Sequence, residues 1–148
     1  MALPEVIKNS RGNWQGKSKL HISWKPEGQQ VFECDSTLQI AFEDQEKFAN
    51  LAYTWSHEGE PQFGAMLING GTAGWTDTWH QGGEVMRLQG EGTTHLSVTG
   101  EYSWEGSPPW GWRSELSNPA HGELMLTMTN ISPDGTEEWA VSAVYHRA

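Results

Sequence analysis

Turn-forming residues divide this chain at short intervals along most of its length. Gly, Pro, Asn and Asp favour turns because they tolerate positive φ, fix φ or bond to their own backbone. Nine such signals imply about ten strands joined in sequence, the spacing expected of a meander that closes on itself. The signals are Pro26–Gly28, Glu43–Gln45, Gly59–Pro61, Gly70–Gly71, Gly82–Gly83, Gly90–Gly92, Pro108–Pro109, Asn118–Pro119 and Pro133–Gly135.

Apolar and polar residues alternate between these turns, which predicts strands with one inner and one outer face. The first strand places Trp14, Leu20 and Trp24 on one side, and Lys17 and Lys19 on the other. The later inner faces are predicted to hold Phe32, Cys34, Leu38, Ile40, Phe42, Leu51, Tyr53, Trp55, Leu96, Val98, Tyr102, Trp104, Leu124, Leu126, Met128, Trp139, Val141, Ala143, Tyr145 and Arg147.

These patterns predict an all-β fold, a single antiparallel up-and-down β-barrel of about ten strands. Closure removes the exposed strand edges that so many antiparallel strands would otherwise leave. We expect one barrel domain over residues 1–148, with residues 1–11 as an N-terminal lead-in segment that has room for a short helix. Ten strands enclose more space than eight, so small inner residues such as Ser18 and Ser36 predict a cavity.

The charge of the chain excludes two classes of partner. Its formal net charge is -10, so nucleic acid and anionic membrane surfaces would repel it, and we expect neither as a partner.

No apolar stretch approaches the ~18 residues that a membrane span needs. Cys34 is the single cysteine, and the N-terminus has no signal-peptide pattern, so a reducing, cytoplasmic location is expected.

Gly12, Trp14 and Arg147 resemble the residues that seal one end of barrels in the calycin superfamily, which includes lipocalins, fatty-acid-binding proteins, avidins and nitrobindin-like proteins. In that superfamily an Arg from the last strand lies over the Trp indole at the closed end. The resemblance implies a calycin-like barrel with its ligand entering away from Trp14. The segments Gly74–Trp79 and Met86–Gly90 are similar to bacterial barrels of unknown function, which implies no particular substrate.

Asp77 is the strongest candidate for a functional polar group, because Trp75 and Trp79 flank it at i−2 and i+2. A carboxylate between two indoles is desolvated, which raises its pKa unless a cation or hydrogen-bond donors hold it. Asp77 and one of Arg87 or Arg113 would provide the polar contacts that orient a ligand. The alternatives are that Asp77 faces outward, or that it forms a structural ion pair with Arg87 or Arg113.

The leading hypothesis is a non-enzymatic β-barrel that binds a small apolar or aromatic molecule. An apolar pocket with a few polar groups is the usual form of such a site. The predicted pocket residues are Trp24, Phe32, Phe42, Tyr53, Trp55, Trp75, Asp77, Trp79, Arg87, Tyr102, Trp104 and Arg113.

The stretch Trp110–Arg113 follows two prolines and places two Trp around one Gly. It could form a lid over the ligand, with Arg113 binding an anionic group. It could equally continue a strand or pack two copies together as a homodimer. These alternatives remain open at the level of the sequence.

Catalytic and metal-binding patterns are absent from the sequence. The six histidines show no metal-ligand spacing, and no cofactor or catalytic residue is predicted. Two alternatives to simple binding remain. One is an enzyme with Asp77 as acid or base; the other is a nitrobindin-like haem barrel, in which the counterpart of the family's haem ligand would be His146. His146 has outward parity, whereas His57, at a strand end, is the only histidine that could face inward.

Overall fold

The computed structural model of the protein describes residues 3–81, 84–90, 94–103 and 105–148. Within these residues ten strands and one short helix are present, and no helix is long and apolar enough to cross a membrane. The elements are α1 (Glu5–Lys8), β1 (Gly12–His21), β2 (Val31–Phe42), β3 (Ala49–His57), β4 (Glu60–Asn69), β5 (Thr72–Asp77), β6 (Met86–Gly90), β7 (Leu96–Tyr102), β8 (Trp110–Ser117), β9 (Glu123–Ile131) and β10 (Glu137–Arg147).

Each strand pairs antiparallel with its neighbours in sequence, and β1 also pairs with β10 to close the barrel. The predicted all-β, up-and-down barrel of ten strands is therefore confirmed. Alternation produces it directly: in β5, for example, Ala73, Trp75 and Asp77 are buried inside while Thr72, Gly74 and Thr76 lie on the outer face. The apolar residues of these inner faces fill the interior of the barrel.

One end of the barrel is closed by the N-terminal segment. The helix α1 lies where a short helix was predicted, and Leu3, Val6 and Ile7 of this segment are buried in the core. The backbone N–H of Val6 donates to the carbonyl of Thr94, 3.0 Å away. We call this end, with Trp14 at its base, the closed end.

Trp14 and Arg147 form the predicted seal at the closed end. The Arg147 guanidinium carbon lies 4.5 Å from the centre of the Trp14 ring, a cation–π contact. Arg147 also donates to the carbonyls of Arg11 (2.6 Å) and Asn9 (3.1 Å). Trp14 Nε1 donates to the Ser10 carbonyl at 2.9 Å, so one pair of side chains ties the two ends of the chain together.

Trp139 is the exception to the predicted inner face of β10. The register between β10 and β9 shifts between Trp139 and Val141, so one extra residue lies in β10 at this point. Such a bulge reverses the face of every residue before it. Trp139 consequently lies outside the barrel and stacks on His21, with ring centres 4.9 Å apart.

Candidate functional site: the mouth of the barrel

The end opposite to the closed end, which we call the mouth, is organised around Asp77, the last residue of β5. Its Oδ1 accepts backbone N–H groups from Trp79 (3.1 Å), His80 and Gln81 (3.0 Å). A carboxylate that binds the following backbone amides is a common way to fix a turn. Residues 78–81 therefore fold back, and the side chains of Trp79 and His80 contact rings of the interior. We call residues 78–81 the mouth turn.

The other carboxylate oxygen of Asp77 lies in a side-chain network. Oδ2 is 2.8 Å from Nδ1 of His80 and accepts the Tyr53 hydroxyl at 3.3 Å. The Tyr53 oxygen in turn accepts Trp75 Nε1 at 2.8 Å. Gly64 makes room for this arrangement, because a Cβ at that position would lie 2.0 Å from the Tyr53 ring.

Two opposing effects determine the pKa of Asp77. Burial raises it, but the hydrogen bond and charge of His80 and the backbone N–H groups of Gln81 and His80 lower it by more. The net pKa is below the ordinary value, so Asp77 is ionised at neutral pH. The hydrogen-bond donors that hold the Asp77 carboxylate are His80, Tyr53 and backbone N–H groups. Arg87 and Arg113, the cations suggested by the sequence, are not among them.

Indole rings surround the His80 imidazole. The ring of Trp112 lies 4.9 Å from it, and the rings of Trp75 and Trp55 lie 6.2 Å and 6.3 Å away, centre to centre. Trp112 and Trp75 stack at 4.9 Å with an angle of 13° between their planes. We call Trp55, Trp75 and Trp112, together with the Asp77 carboxylate, the indole cage.

A second group of rings continues from the cage to the rim of the mouth. Trp79 meets Trp55 edge-on at 5.6 Å and His57 at 4.7 Å, and His57 meets Phe32 at 4.7 Å. His57 is thus buried, the position that alternation allowed for it. Phe32, Tyr53, Trp55, Trp75, Asp77 and Trp79 therefore all gather at the mouth.

The interior leaves little empty space below these rings. Ser18, Ser36, Tyr145 and the Asp77–His80 pair line a cavity of about 10 Å³, room for about one water molecule. The small inner residues predict a larger cavity, but large side chains occupy the interior; one of them, Tyr145, reaches across to Ser36, with 2.8 Å between their hydroxyl oxygens. Burial raises the pKa of Tyr145 to about 12.

Three buried polar atoms have no hydrogen-bond partner among the residues that the structure describes: His57 Nδ1, Trp112 Nε1 and Ser114 Oγ. Two of them belong to rings of the mouth. Leaving a buried donor or acceptor unpaired costs about 1–3 kcal/mol, so the mouth has polar groups that a bound molecule could satisfy.

Four predicted pocket residues lie elsewhere. Trp24 is 75% exposed because β1 ends at His21 and its alternation stops there. Phe42 lies at the closed end, with the Arg11 guanidinium carbon 4.0 Å from its ring centre. Arg87 points outward because Met86 and Leu88 take the inner positions of β6.

Arg113 is also an outer residue, since its neighbours Trp112 and Ser114 face inward. It binds Glu115 and Glu137 on the surface. Trp112 faces the interior and therefore does not lie on the Trp110–Arg113 surface that could pack two copies together as a homodimer. Tyr102 is half-buried and its hydroxyl donates to Asn130, whereas Trp104 lies outside the described residues.

His80 is the site residue that sequence reasoning missed. The sequence interpretation allowed an inward position for His57 alone, and this was wrong, because His80 contacts the inner rings from the turn after β5, where the period of two no longer applies. A signal was nevertheless present: an Asp at a strand end, whose carboxylate can bind backbone amides two to four residues ahead, is a turn pattern. The Asp77–Gln81 segment fits that pattern.

A wider groove of about 540 Å³ lies outside the closed end, beside α1. Arg147 lines it, but its guanidinium already binds two carbonyls. Trp14 and Glu5 also line it, but the Trp14 nitrogen is bonded to the Ser10 carbonyl and Glu5 is exposed. Among the described residues, no three His, Cys, Asp or Glu side chains are grouped as metal ligands.

Comparisons with known proteins support the fold. No protein-family model and no curated protein matches the sequence. The crystal structure of Rv2717c from M. tuberculosis superposes with a TM-score of 0.55 at 13% identity, over 100% of this chain and 99% of that chain. A redesigned β-barrel gives a TM-score of 0.48 at 8% identity, over 100% and 99%. At 13% identity, the likeness to Rv2717c shows a shared barrel fold alone.

Proposed function

We propose that this protein is a non-enzymatic barrel that binds a small apolar or aromatic molecule at its mouth. The observation that carries the proposal is the ionised Asp77, paired with His80 and enclosed by indole rings at one end of a barrel whose other end is sealed. The contact of Arg147 with Trp14 also supports membership of the calycin superfamily as part of the proposal.

The mouth combines the two properties of a ligand site. Its walls are aromatic, and a small number of buried polar atoms converge between them. The unpaired Nδ1 of His57 and Nε1 of Trp112 are suited to a ligand with a polar group. Since the cavity holds about one water molecule, a ligand would have to displace the side chains of the mouth turn.

Titration with N-phenyl-1-naphthylamine, a neutral dye that fluoresces in apolar surroundings, tests the proposal. We expect saturable binding with energy transfer from tryptophan. The chain offers a matched pair of variants, because Phe32 and Phe42 are both half-buried and lie at opposite ends of β2. Phe32→Ala should weaken dye binding about fivefold, the equivalent of ~1 kcal/mol, whereas Phe42→Ala should leave it unchanged.

Two results would contradict the proposal. One is the absence of saturable dye binding by folded protein. The other is an equal loss of affinity in the two variants, which would mean that the dye does not bind specifically at the mouth. Circular dichroism would establish that both variants keep the fold.

An enzyme is the second candidate, favoured by the Asp77–His80 pair. A carboxylate that holds Nδ1 of an imidazole leaves Nε2 as a potential base. The lowered pKa of Asp77 makes His80 the base and Asp77 its orienting group. Hydrolysis of p-nitrophenyl acetate would test this: a rate unaffected by His80→Ala would reject it.

A haem does not fit the described interior. The cavity of about 10 Å³ is far smaller than a porphyrin, and His146 is exposed on the outer face of β10. The nitrobindin-like alternative would require that added haem gives a Soret band and that His80→Ala loses this band.

A further inference from the structure

We propose that the ligand of the mouth is a small organic cation of the amidinium or imidazolium type, and that the His80 side chain occupies its place in the free protein. This inference rests on the proposed function and specifies the class of ligand. Its basis is the geometry of the indole cage around a ring that does not belong to any strand.

The indole cage has the composition of a site for organic cations. Aromatic faces attract a cation through the ring quadrupole, and several rings around one cation form the usual recognition site for such ligands. Here the Trp112 ring is 4.9 Å from the centre of the occupant, and Trp75 and Trp55 complete the wall. The Asp77 carboxylate supplies the negative charge, 2.8 Å from the nearest imidazole nitrogen.

Among the residues that the structure describes, the only ion pair of the Asp77 carboxylate is with His80, the proposed occupant. Tyr53 and Tyr145 line the same cavity, and burial raises the pKa of both hydroxyls, so both are neutral. His57 lies beyond Trp79. The two arginines once considered as partners lie on the outer surface, and the net charge of -10 draws cations toward the protein.

The position of His80 on the mouth turn allows exchange with a ligand. Trp55, Trp75 and Trp112 are fixed on strands β3, β5 and β8. His80 instead follows β5, and its backbone is bound to the barrel by the carboxylate of Asp77. A cation that takes the Asp77 oxygens would compete with both the imidazole and the turn, and would thereby replace His80 in the cage.

Benzamidine and benzamide test this inference as a matched pair of probes. They have the same shape, but benzamidine is a cation at neutral pH and benzamide is neutral. By calorimetry and tryptophan fluorescence we expect the wild-type protein to bind benzamidine at least about tenfold more tightly than benzamide. Asp77→Asn, which keeps an acceptor oxygen for the turn, should remove this preference.

Removal of the native occupant gives a second test. His80→Ala should bind benzamidine about tenfold more tightly than the wild type, because the cage is then vacant. His21→Ala is the matched control, since His21 also stacks on an indole, that of Trp139, but on the outer surface. Added imidazolium should raise the melting temperature of His80→Ala by more than that of His21→Ala, whose cage still holds the His80 ring.

Each outcome decides one question. Equal affinities for benzamidine and benzamide, with the neutral dye still bound at the mouth, would overturn the cation inference and leave the proposed function standing. An unchanged affinity in His80→Ala would overturn the role of His80 as the occupant. If the wild-type protein binds neither benzamidine nor the neutral dye, the proposed function itself is overturned.

Discussion

The two ends of this barrel use tryptophan in different ways. At the closed end, Trp14 has its nitrogen bonded to a carbonyl and its face covered by Arg147, whose two terminal guanidinium nitrogens also bond to carbonyls. At the mouth, Trp112 is equally buried, but its nitrogen has no partner within the described part of the chain, and its ring lies 4.9 Å from that of His80, a residue of a turn. The same side chain therefore completes the structure at one end and leaves bonding capacity at the other.

The largest expected effect would test the role of the closed end in stability. Trp14→Ala removes a buried indole, its hydrogen bond and the platform of Arg147, so we expect a loss of about 3–5 kcal/mol in the free energy of unfolding. Trp79→Ala, at the rim of the mouth, should cost about half as much because Trp79 is only half-buried. Urea denaturation measures both. Equal losses would mean that the two ends contribute equally to stability.

A smaller effect is expected where the mouth is most tightly packed. Gly64→Ala places a methyl group against the Tyr53 ring and should cost about 1–3 kcal/mol through overpacking. Tyr53→Phe is the companion variant, since it keeps the ring but removes the hydroxyl that donates to Asp77. Urea denaturation gives the cost. A Gly64→Ala variant as stable as the wild type would show that the Tyr53 ring is free to move.

The stability of the mouth should depend on pH through the carboxylate of Asp77. The pKa of Asp77 lies below its unfolded value of 3.8, so its stabilisation is complete above about pH 4 and is lost as the pH falls through the folded pKa. Asp77→Asn should be less stable by about 1–2 kcal/mol at neutral pH. This difference should shrink in acid. Thermal melts between pH 7 and pH 2 measure it, and a difference that grows in acid would contradict the assignment.

The smallest expected effect concerns the outer surface. Arg113 pairs with Glu115 and Glu137 outside the barrel, so Arg113→Gln should cost about 0.5 kcal/mol, as surface ion pairs do. It should leave binding of the neutral dye unchanged. A several-fold change in dye affinity would extend the mouth to the outer face of β8 and blur the distinction between the two ends.

The sequence predicts the barrel because turn residues and alternation, which are local signals, define the strands. The Trp14–Arg147 seal was instead implied by the resemblance to calycin barrels, and the pairing of the first and last strands brings the two residues together. The errors occur where alternation is interrupted. Trp24 lies beyond the end of β1, and a bulge reverses the face of Trp139.

The sequence predicts that Asp77 lies among indoles, and Asp77 is buried there. It does not predict the partner of Asp77, which is His80. Charge suggests Arg87 and Arg113, although alternation within β6 and β8 places both outside. His80 could not be placed by periodicity, because it reaches the interior from a turn. The direction of such a residue depends on long-range packing against Trp112, which lies on a strand distant in sequence.

The close approach of Gly64 to Tyr53 has a consequence for related sequences. Position 64 contributes no side chain to the mouth, yet the absence of one decides whether an aromatic ring can reach Asp77. Residues 53 and 64 are cross-strand neighbours and should therefore vary together. A relative with a larger residue at 64 should carry a smaller one at 53, and its buried carboxylate should then have lost the tyrosine hydroxyl.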